Sequence, residues 1–357
     1  MRILEVGLTA HIGGMETFFH NYFLFFSPGF HFDFIGTEDG LCFSDEYLAN
    51  GSNVYLLPRF KKHPIRYFLR LRTIIKNGQY DLVHINMLSA ANILPLLATK
   101  SAGKKVVVHS HNNDTPSGLI RKALHVINTP IVRIRSNGRF ACSKAAGEWM
   151  FGKASFDIIP NALDASRFSF NEQIREKTRE KYNLGDAFVI GHVGRFQEQK
   201  NHKFIVRLFV EYHKTYPNAK LLLIGDGELF NDTNEELKAA NVIQDVVFIK
   251  ETKSIEEYYQ AMDLFVFPSL FEGFGTVAIE AQFSGLPCLL SEFVCRDTEI
   301  SDRVKYLGIE DKDIPQWIKE IELIRQETLN RLPVFKNNDY DVQKAIHHFE
   351  ECLRRIK

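Results

Sequence analysis

Ala-Phe-Val-Ile-Gly-His-Val at residues 187–193 runs directly into Gly-Arg-Phe-Gln-Glu-Gln-Lys-Asn-His at 194–202. A short β-rich apolar run that empties into a polar loop and then a segment of helical period is one strand–loop–helix unit. The same unit recurs in both directions. After it come apolar runs at Lys220 to Ile224, Val246 to Ile249, Leu264 to Pro268 and Pro287 to Leu290. Before it, beyond a polar, charge-rich segment from Asn171 to Gly185, lie Arg2 to Leu8, His31 to Gly36, Asn53 to Leu57, Asp81 to Asn86, Lys105 to His109, Arg139 to Cys142 and Asp157 to Pro160. Helical stretches fill the gaps in the first half: Met15 to Phe26, Pro64 to Asn77, Ala90 to Ser101 and Ser117 to Asn128. Such alternation predicts an α/β protein with mainly parallel sheets covered by helices. The restart near residue 187 predicts a second sheet, and Val342 to Ile356 reads as an isolated terminal helix.

The length of 357 residues is roughly twice that of a typical domain, which agrees with two cores. A chain 45% hydrophobic and 25% charged is globular rather than disordered. Five scattered cysteines, none in a CxxC or Cys/His cluster, argue against a disulfide framework and a structural zinc site, and favour a reducing cytoplasm. MRILEVGL has no signal-peptide character, and no stretch reaches the ~20 apolar residues that span a bilayer. Net charge is zero, but residues 1–165 carry 18 Lys/Arg against 12 Asp/Glu, and the remainder reverses the bias. At a pI near 7, a basic N-terminal half suits a membrane surface or a phosphate-bearing acceptor better than nucleic acid.

In open parallel sheets, ligands bind beyond the carboxyl ends of the strands, so the polar residues there are the candidates. Gly194, Arg195 and Lys200 place a small residue and two cations where a diphosphate could sit. A solvated basic loop is an equally simple reading of that segment alone. Strand 264–268 leads into Ser-Leu-Phe-Glu-Gly-Phe-Gly-Thr-Val-Ala-Ile-Glu at 269–280. Gly273 and Gly275 allow close backbone approach, and the helix that follows offers unpaired amides to phosphate. Glu272 and Glu280 can accept from sugar and ribose hydroxyls, although Glu280 could simply complement the helix dipole. At the chain's start, Gly13 and Gly14 permit a tight strand-to-helix turn. His109 and His111 next to Asp114 suggest a metal site, but His109 should still belong to the strand, which leaves His111 and Asp114 without a third ligand evident in sequence. The run Gly225-Asp-Gly-Glu-Leu-Phe230 lacks the third glycine of a dinucleotide fingerprint.

Taken in order, these segments resemble the retaining glycosyltransferases of the family 4 type with the GT-B fold, particularly bacterial capsule and exopolysaccharide enzymes. The resemblance rests on Gly194-Arg195 with Gln199 to His202, on Pro268-Ser269 to Glu280 with its E-x7-E spacing, and on Gly285-Leu286-Pro287. Gly13 to Glu16, His109 to Asn112, Ala141 to Ser143 and Ile159 to Asn161 match lesser landmarks. It implies two Rossmann-like parallel-sheet domains facing a central cleft: an acceptor domain at 1–165, a nucleotide-sugar domain at 166–340, and a helix at 341–357 crossing back to the first. Arg195 and Lys200 would hold the donor diphosphate, and Glu272 would contact the transferred sugar. Gly273, Phe274, Gly275 and Thr276 would line the donor site with backbone donors, Glu280 would bind ribose, His111 would approach the sugar's hydroxymethyl side, and Gly13 and Gly14 would close on the diphosphate. No metal or other cofactor is expected, since Asp311-Lys312-Asp313, a D-x-D, sits in a polar late segment. The donor sugar is left open by Phe274-Gly275-Thr276, where many relatives carry bulkier or proline-containing residues; a UDP-hexose follows only by analogy. The acceptor would be a glycan or an undecaprenyl-linked sugar. From Arg59 to Lys76 there are seven Lys/Arg and no acid, interleaved with aromatic and aliphatic residues. That stretch reads either as a surface for anionic membrane at the cytoplasmic face or as an ordinary helix with its apolar side in the core. A catalytically silent sugar-nucleotide-binding protein and a GT-B-like sugar-nucleotide epimerase are the alternatives.

Overall fold

The computed structural model describes residues 1–11, 13–112, 118–250, 252, 254–272, 274–327, 331–337 and 339–356. They form two compact units, 1–163 with 339–357 and 164–338. In the first, strands β1 (Arg2–Val6), β2 (His31–Thr37), β3 (Val54–Leu57), β4 (Leu82–Met87), β5 (Lys105–Ser110), β6 (Gly138–Ala141) and β7 (Asp157–Ile158) alternate with helices α1 (Gly14–Phe23), α2 (Ser44–Ala49), α3 (Pro64–Asn77), α4 (Leu94–Ser101), α5 (Leu119–Arg135) and α6 (Lys144–Phe151). In the second, α7 (Ala165–Phe168) and α8 (Glu172–Lys181) precede β8 (Val189–Val193). There follow α9 (His202–Thr215), β9 (Lys220–Ile224), α10 (Phe230–Ala239), β10 (Val246–Ile249), α11 (Ile255–Ala261), β11 (Leu264–Phe267), α12 (Thr276–Phe283), β12 (Cys288–Ser291), β13 (Val304–Leu307) and α13 (Ile314–Gln326). Helix α14 (Val342–Ile356) belongs to the first unit.

Both sheets are parallel throughout, in the orders 3-2-1-4-5-6-7 and 10-9-8-11-12-13. Each order reverses direction beside its first strand: β1 lies between β2 and β4, and β8 between β9 and β11. Connecting loops splay to opposite faces at such a switch point and leave a crevice beyond the carboxyl ends of the strands.

The core of the first unit is unusually aromatic: Phe18, Phe19, Tyr22, Phe34, Tyr47 and Phe140 are almost fully buried on one face of the sheet. Helix α14 closes that face with Val342, Ile346, Phe349 and Leu353. Phe349 meets Tyr22 edge-on at 5.2 Å, and Glu350, nearly buried, accepts from the amide and hydroxyl of Ser27 at 2.6 and 2.9 Å. The other face packs α3, α4 and α6 through Leu71, Ile75, Leu96 and Met150.

Two readings of the sequence need correction. The segment read as helical from Ser117 to Asn128 lies partly outside the described residues, and α5 continues to Arg135 through Pro130. The amide that Pro130 lacks would serve the carbonyl of Val126, a residue that faces solvent, so water can serve it instead. Strand β13 pairs with β12 but was not anticipated, because Val304-Lys-Tyr-Leu sits in a polar region and gains its pattern only from its neighbour. Asn201 does not cap α9 with its side chain; it adopts a left-handed conformation at φ 55°, and its amide donates to the carbonyl of Pro268 at 3.1 Å. That bond ties the loop after β8 to the loop after β11.

Candidate active site

In the C-terminal unit the loops after β8 and β11 lie side by side, because these strands are paired in the sheet. The amide of Leu270 donates to the carbonyl of Gln199 at 2.8 Å, and the Gln199 side chain donates to the carbonyl of Phe271 at 2.9 Å. Lys200 and Glu272 are thereby brought together: the ammonium donates to Glu272 Oε1 at 2.6 Å, with the two side chains 17% and 7% exposed. The ammonium also lies 4.7 Å from the centre of the Phe267 ring. A lysine so placed keeps two N–H donors for an anion, and its carboxylate partner keeps a second oxygen for a hydroxyl.

Gly194 is required by space, since a Cβ there would stand 2.8 Å from His192 Nε2 and 3.1 Å from the Lys200 side chain. Gly225 supports the same loop: at φ +143° its added Cβ would fall 2.1 Å from the Gly194 carbonyl oxygen. Behind the loop, His192 and His202 are buried, and burial holds both in the neutral form, with His202 pushed down to about 4 by burial and then by Lys200. His192 Nε2, both nitrogens of His202 and the Ser269 hydroxyl have no hydrogen-bond partner among the described residues, which is unspent polar capacity at the carboxyl ends of β8 and β11. Arg195 is exposed and forms no ion pair among the described residues.

Helix α12 starts after Gly275, which takes φ +81° as its N-cap with no side-chain cap bond. The amides of Thr276 and Val277 therefore have no intrahelical acceptor and face the same end of the sheet as Lys200. Phe274 precedes this turn, and Gly273 lies outside the described residues. One turn into α12, Glu280 accepts from the Tyr259 hydroxyl at 2.8 Å. Glu280 touches some solvent, but protein crowds it on all sides, and that desolvation pushes its carboxyl up to about 7; the Tyr259 bond and the charge of Arg167 oppose the rise, and Glu256 adds to it.

In the N-terminal unit, Gly13 caps α1 in extended backbone, with its carbonyl accepting from Thr17 at 2.9 Å. Glu16 pins the turn by accepting from the amide and hydroxyl of Thr9 at 3.0 and 2.9 Å. A Cβ on Gly13 would come within 3.0 Å of Glu16, whereas one on Gly14 would meet nothing within 4 Å. Folding therefore does not demand glycine at 14.

His111 follows β5 within a buried polar ring that sequence reading missed. Glu5, on β1, accepts from Asn86 Nδ2 at 3.0 Å and lies 2.8 Å from His84 Nδ1; His84 Nε2 lies 3.2 Å from His109 Nδ1. His109 stacks on His111 at 4.1 Å, and His111 Nε2 lies 2.8 Å from Asn86 Oδ1. Because the Asn86 amide is oriented by Glu5, its oxygen faces His111, which must then donate from Nε2 and offer Nδ1 as an acceptor. Burial, with His84 adding to it, pushes His111 down to about 3, so it works as a neutral imidazole. The signal for this ring was present as Glu5, His84 and Asn86 inside otherwise apolar strands buried on both faces, where a polar side chain must be paired. Asp114 lies outside the described residues. Among the described residues no group of three or more His, Cys, Asp or Glu is placed to hold a metal.

Residues 12–167 match the family Glycosyltransferase Family 4, and residues 174–338 match Glycosyl transferases group 1. The chain is 30% identical over 305 residues to EpsF of Bacillus subtilis, which is named as a glycosyltransferase, covering 82% of this chain and 79% of that one. It is 24% identical over 298 residues to the UDP-Gal:α-D-GlcNAc-diphosphoundecaprenol α-1,3-galactosyltransferase of Escherichia coli, covering 77% and 76%. Among solved structures, HepE of Anabaena in complex with UDP superposes with a TM-score of 0.78 at 16% identity, over 99% of this chain and all of that one. The order of strands, the glycine-bounded loops and these matches along nearly the whole chain have one explanation: it belongs to the group 1 and family 4 glycosyltransferases and has their two-unit GT-B fold.

Proposed function

We propose that this glycosyltransferase moves a hexosyl unit from a UDP-hexose to a glycan or undecaprenyl-linked sugar, retaining the anomeric configuration and needing no metal, in capsular or exopolysaccharide assembly at the cytoplasmic face of the membrane. The observation that carries the reading is the Lys200–Glu272 pair set beside the open amides of α12: cation and backbone donors for a diphosphate, and a carboxylate for sugar hydroxyls. The Escherichia coli relative is named for a UDP-galactose donor and a diphosphoundecaprenol-linked acceptor, and HepE was solved with UDP-glucose as well as UDP. In the proposed step the acceptor oxygen bonds to the anomeric carbon as that carbon's bond to the diphosphate oxygen breaks. The departing diphosphate takes the acceptor's proton on the same face, and Arg195 and Lys200 hold the growing negative charge. Glu280 receives the ribose hydroxyls, and His111 accepts from a hydroxyl of the sugar. Gly13 and Gly14 lend bare backbone to the diphosphate. The basic residues of α3 meet the anionic membrane that carries the acceptor.

Nucleotide release from UDP-, GDP- and dTDP-hexoses, with and without a diphosphate-linked acceptor and with EDTA present, tests this directly. UDP release that depends on acceptor and survives EDTA, with product of unchanged anomeric configuration by NMR, is expected. Binding without turnover for every donor and acceptor would mean a silent binding protein, and donor conversion without acceptor an epimerase.

A further inference from the structure

Helix α5 turns its apolar side outward. His125, Thr129 and Val132 face the protein, with His125 stacked on Trp149 at 4.0 Å and accepting from the Ala90 amide at 3.1 Å, and Asn128 donating to the Ala90 carbonyl at 2.9 Å. On the opposite arc Leu119, Ile120, Val126, Ile127 and Ile134 are 87, 78, 70, 65 and 80% exposed. A surface helix of a globular protein buries its aliphatic stripe and exposes its polar one; α5 does the reverse. Of its cations, Arg121, Lys122 and Arg135 are exposed, Arg133 is partly buried against Gly152, and α5 contains no acid. Helix α4 packs between α5 and α3, and neither of those contains an acid, while α3 adds exposed Ile65 and Leu69 at 74 and 55% beside Arg66 and Arg70. In α3, by contrast, Tyr67, Leu71 and Ile75 are core residues, so most of the apolar run noticed in its sequence is spent on folding.

The geometry points to α5 as the membrane-inserting element of the N-terminal unit: its aliphatic arc enters the headgroup–acyl boundary of an anionic bilayer, and the cations on α5 and α3 hold the lipid phosphates. Aliphatic residues in the centre of a helix face with Lys/Arg at its edges suit that boundary, whereas a protein partner would need acidic side chains to cover as many cations. This deepens the proposed use of a membrane-borne acceptor and rests on it for the choice of a bilayer as the occupant.

The test is co-sedimentation of the full chain with phosphatidylcholine vesicles containing about a third phosphatidylglycerol, against pure phosphatidylcholine. Ile120→Ser/Ile127→Ser/Ile134→Ser should weaken vesicle binding roughly a thousandfold, since each exposed isoleucine lost removes about one factor of ten from partitioning. Far-UV circular dichroism and UDP binding should stay as in the parent. Arg66→Glu/Arg70→Glu should weaken it about tenfold and only at low salt. If the α3 variant loses binding and the α5 variant does not, α5 is not the inserted element, though the membrane reading survives. If the unaltered chain binds neither vesicle, or binds both equally, the inference falls. It falls too if α5 proves to seal a lipid-free dimer that the triple variant dissociates. Transfer to a short-chain, water-soluble diphosphate acceptor judges the acceptor reading separately, because it needs no vesicle.

Discussion

Glu280→Gln separates what the fold wants from what the ligand wants. Glu280 rises to about 7 because burial disfavours its charge, so between its ordinary value of 4.5 and 7 the folded C-terminal unit holds a proton that the unfolded chain has released. Stability of the ligand-free protein should therefore fall as pH rises through that window, be fully reduced above 7, and be unaffected below about 4. Two and a half pH units correspond to about 3 kcal/mol at most, and partial solvent contact brings the expectation nearer 2 kcal/mol. Glutamine keeps the shape and can still accept from Tyr259 through its amide oxygen, but carries no charge to desolvate. The variant should be about 2 kcal/mol more stable than the parent at pH 8 and equal to it at pH 4. Trp317, fully buried in the C-terminal unit, reports urea unfolding of that unit by fluorescence once Trp149 is replaced by Phe. The same substitution should weaken UDP binding about tenfold at pH 8, where in the proposed donor site the parent's carboxylate would accept two ribose hydroxyls, and the gap should close as pH falls below 7. A variant no more stable than the parent at pH 8, or an affinity gap indifferent to pH, would refute the assignment.

Lys200→Met should lower kcat about a hundredfold or more and destabilise the C-terminal unit by about 3 kcal/mol, because it leaves the Glu272 carboxylate buried and unpaired. Adding Glu272→Gln should restore the melting temperature but not the rate. Since His111 stays neutral, with its proton gained only near pH 3, the pH–rate profile between 5 and 8 should show no limb from it. Asn86→Leu frees the His111 ring and should cut kcat about tenfold for a donor with a 6-hydroxyl while leaving its 6-deoxy analogue nearly unchanged. Gly225→Ala should lower stability by about 2–3 kcal/mol in thermal melts, because both its φ and its contact with Gly194 forbid a side chain, whereas Gly14→Ala should melt like the parent and lose activity.

Much of this was open to reading from residue order alone. Strand–loop–helix periodicity placed β8 with its Gly194-to-Asn201 loop and β11 with its Glu272-to-Glu280 block, because apolar runs buried on both faces leave a period-free signature that survives in one dimension. Helices α3 and α14 were legible to their last residue, since proline opens one and a strong amphipathic stripe marks the other.

Pairings between segments distant in the chain were not legible. Nothing in the order of residues joins Lys200 to Glu272, 72 positions apart, or Glu5 to His84 and Asn86; adjacent strands bring them together. Nor could spacing say which arc of α5 faces the sheet, since an apolar stripe looks the same whether it is buried or bare. Residue order set the elements and the kinds of chemistry at their ends, because local periodicity and turn residues act over a few positions. Only the tertiary structure decided which polar groups share a charge and which apolar faces meet water, because desolvation and pairing depend on neighbours that the chain brings close by folding.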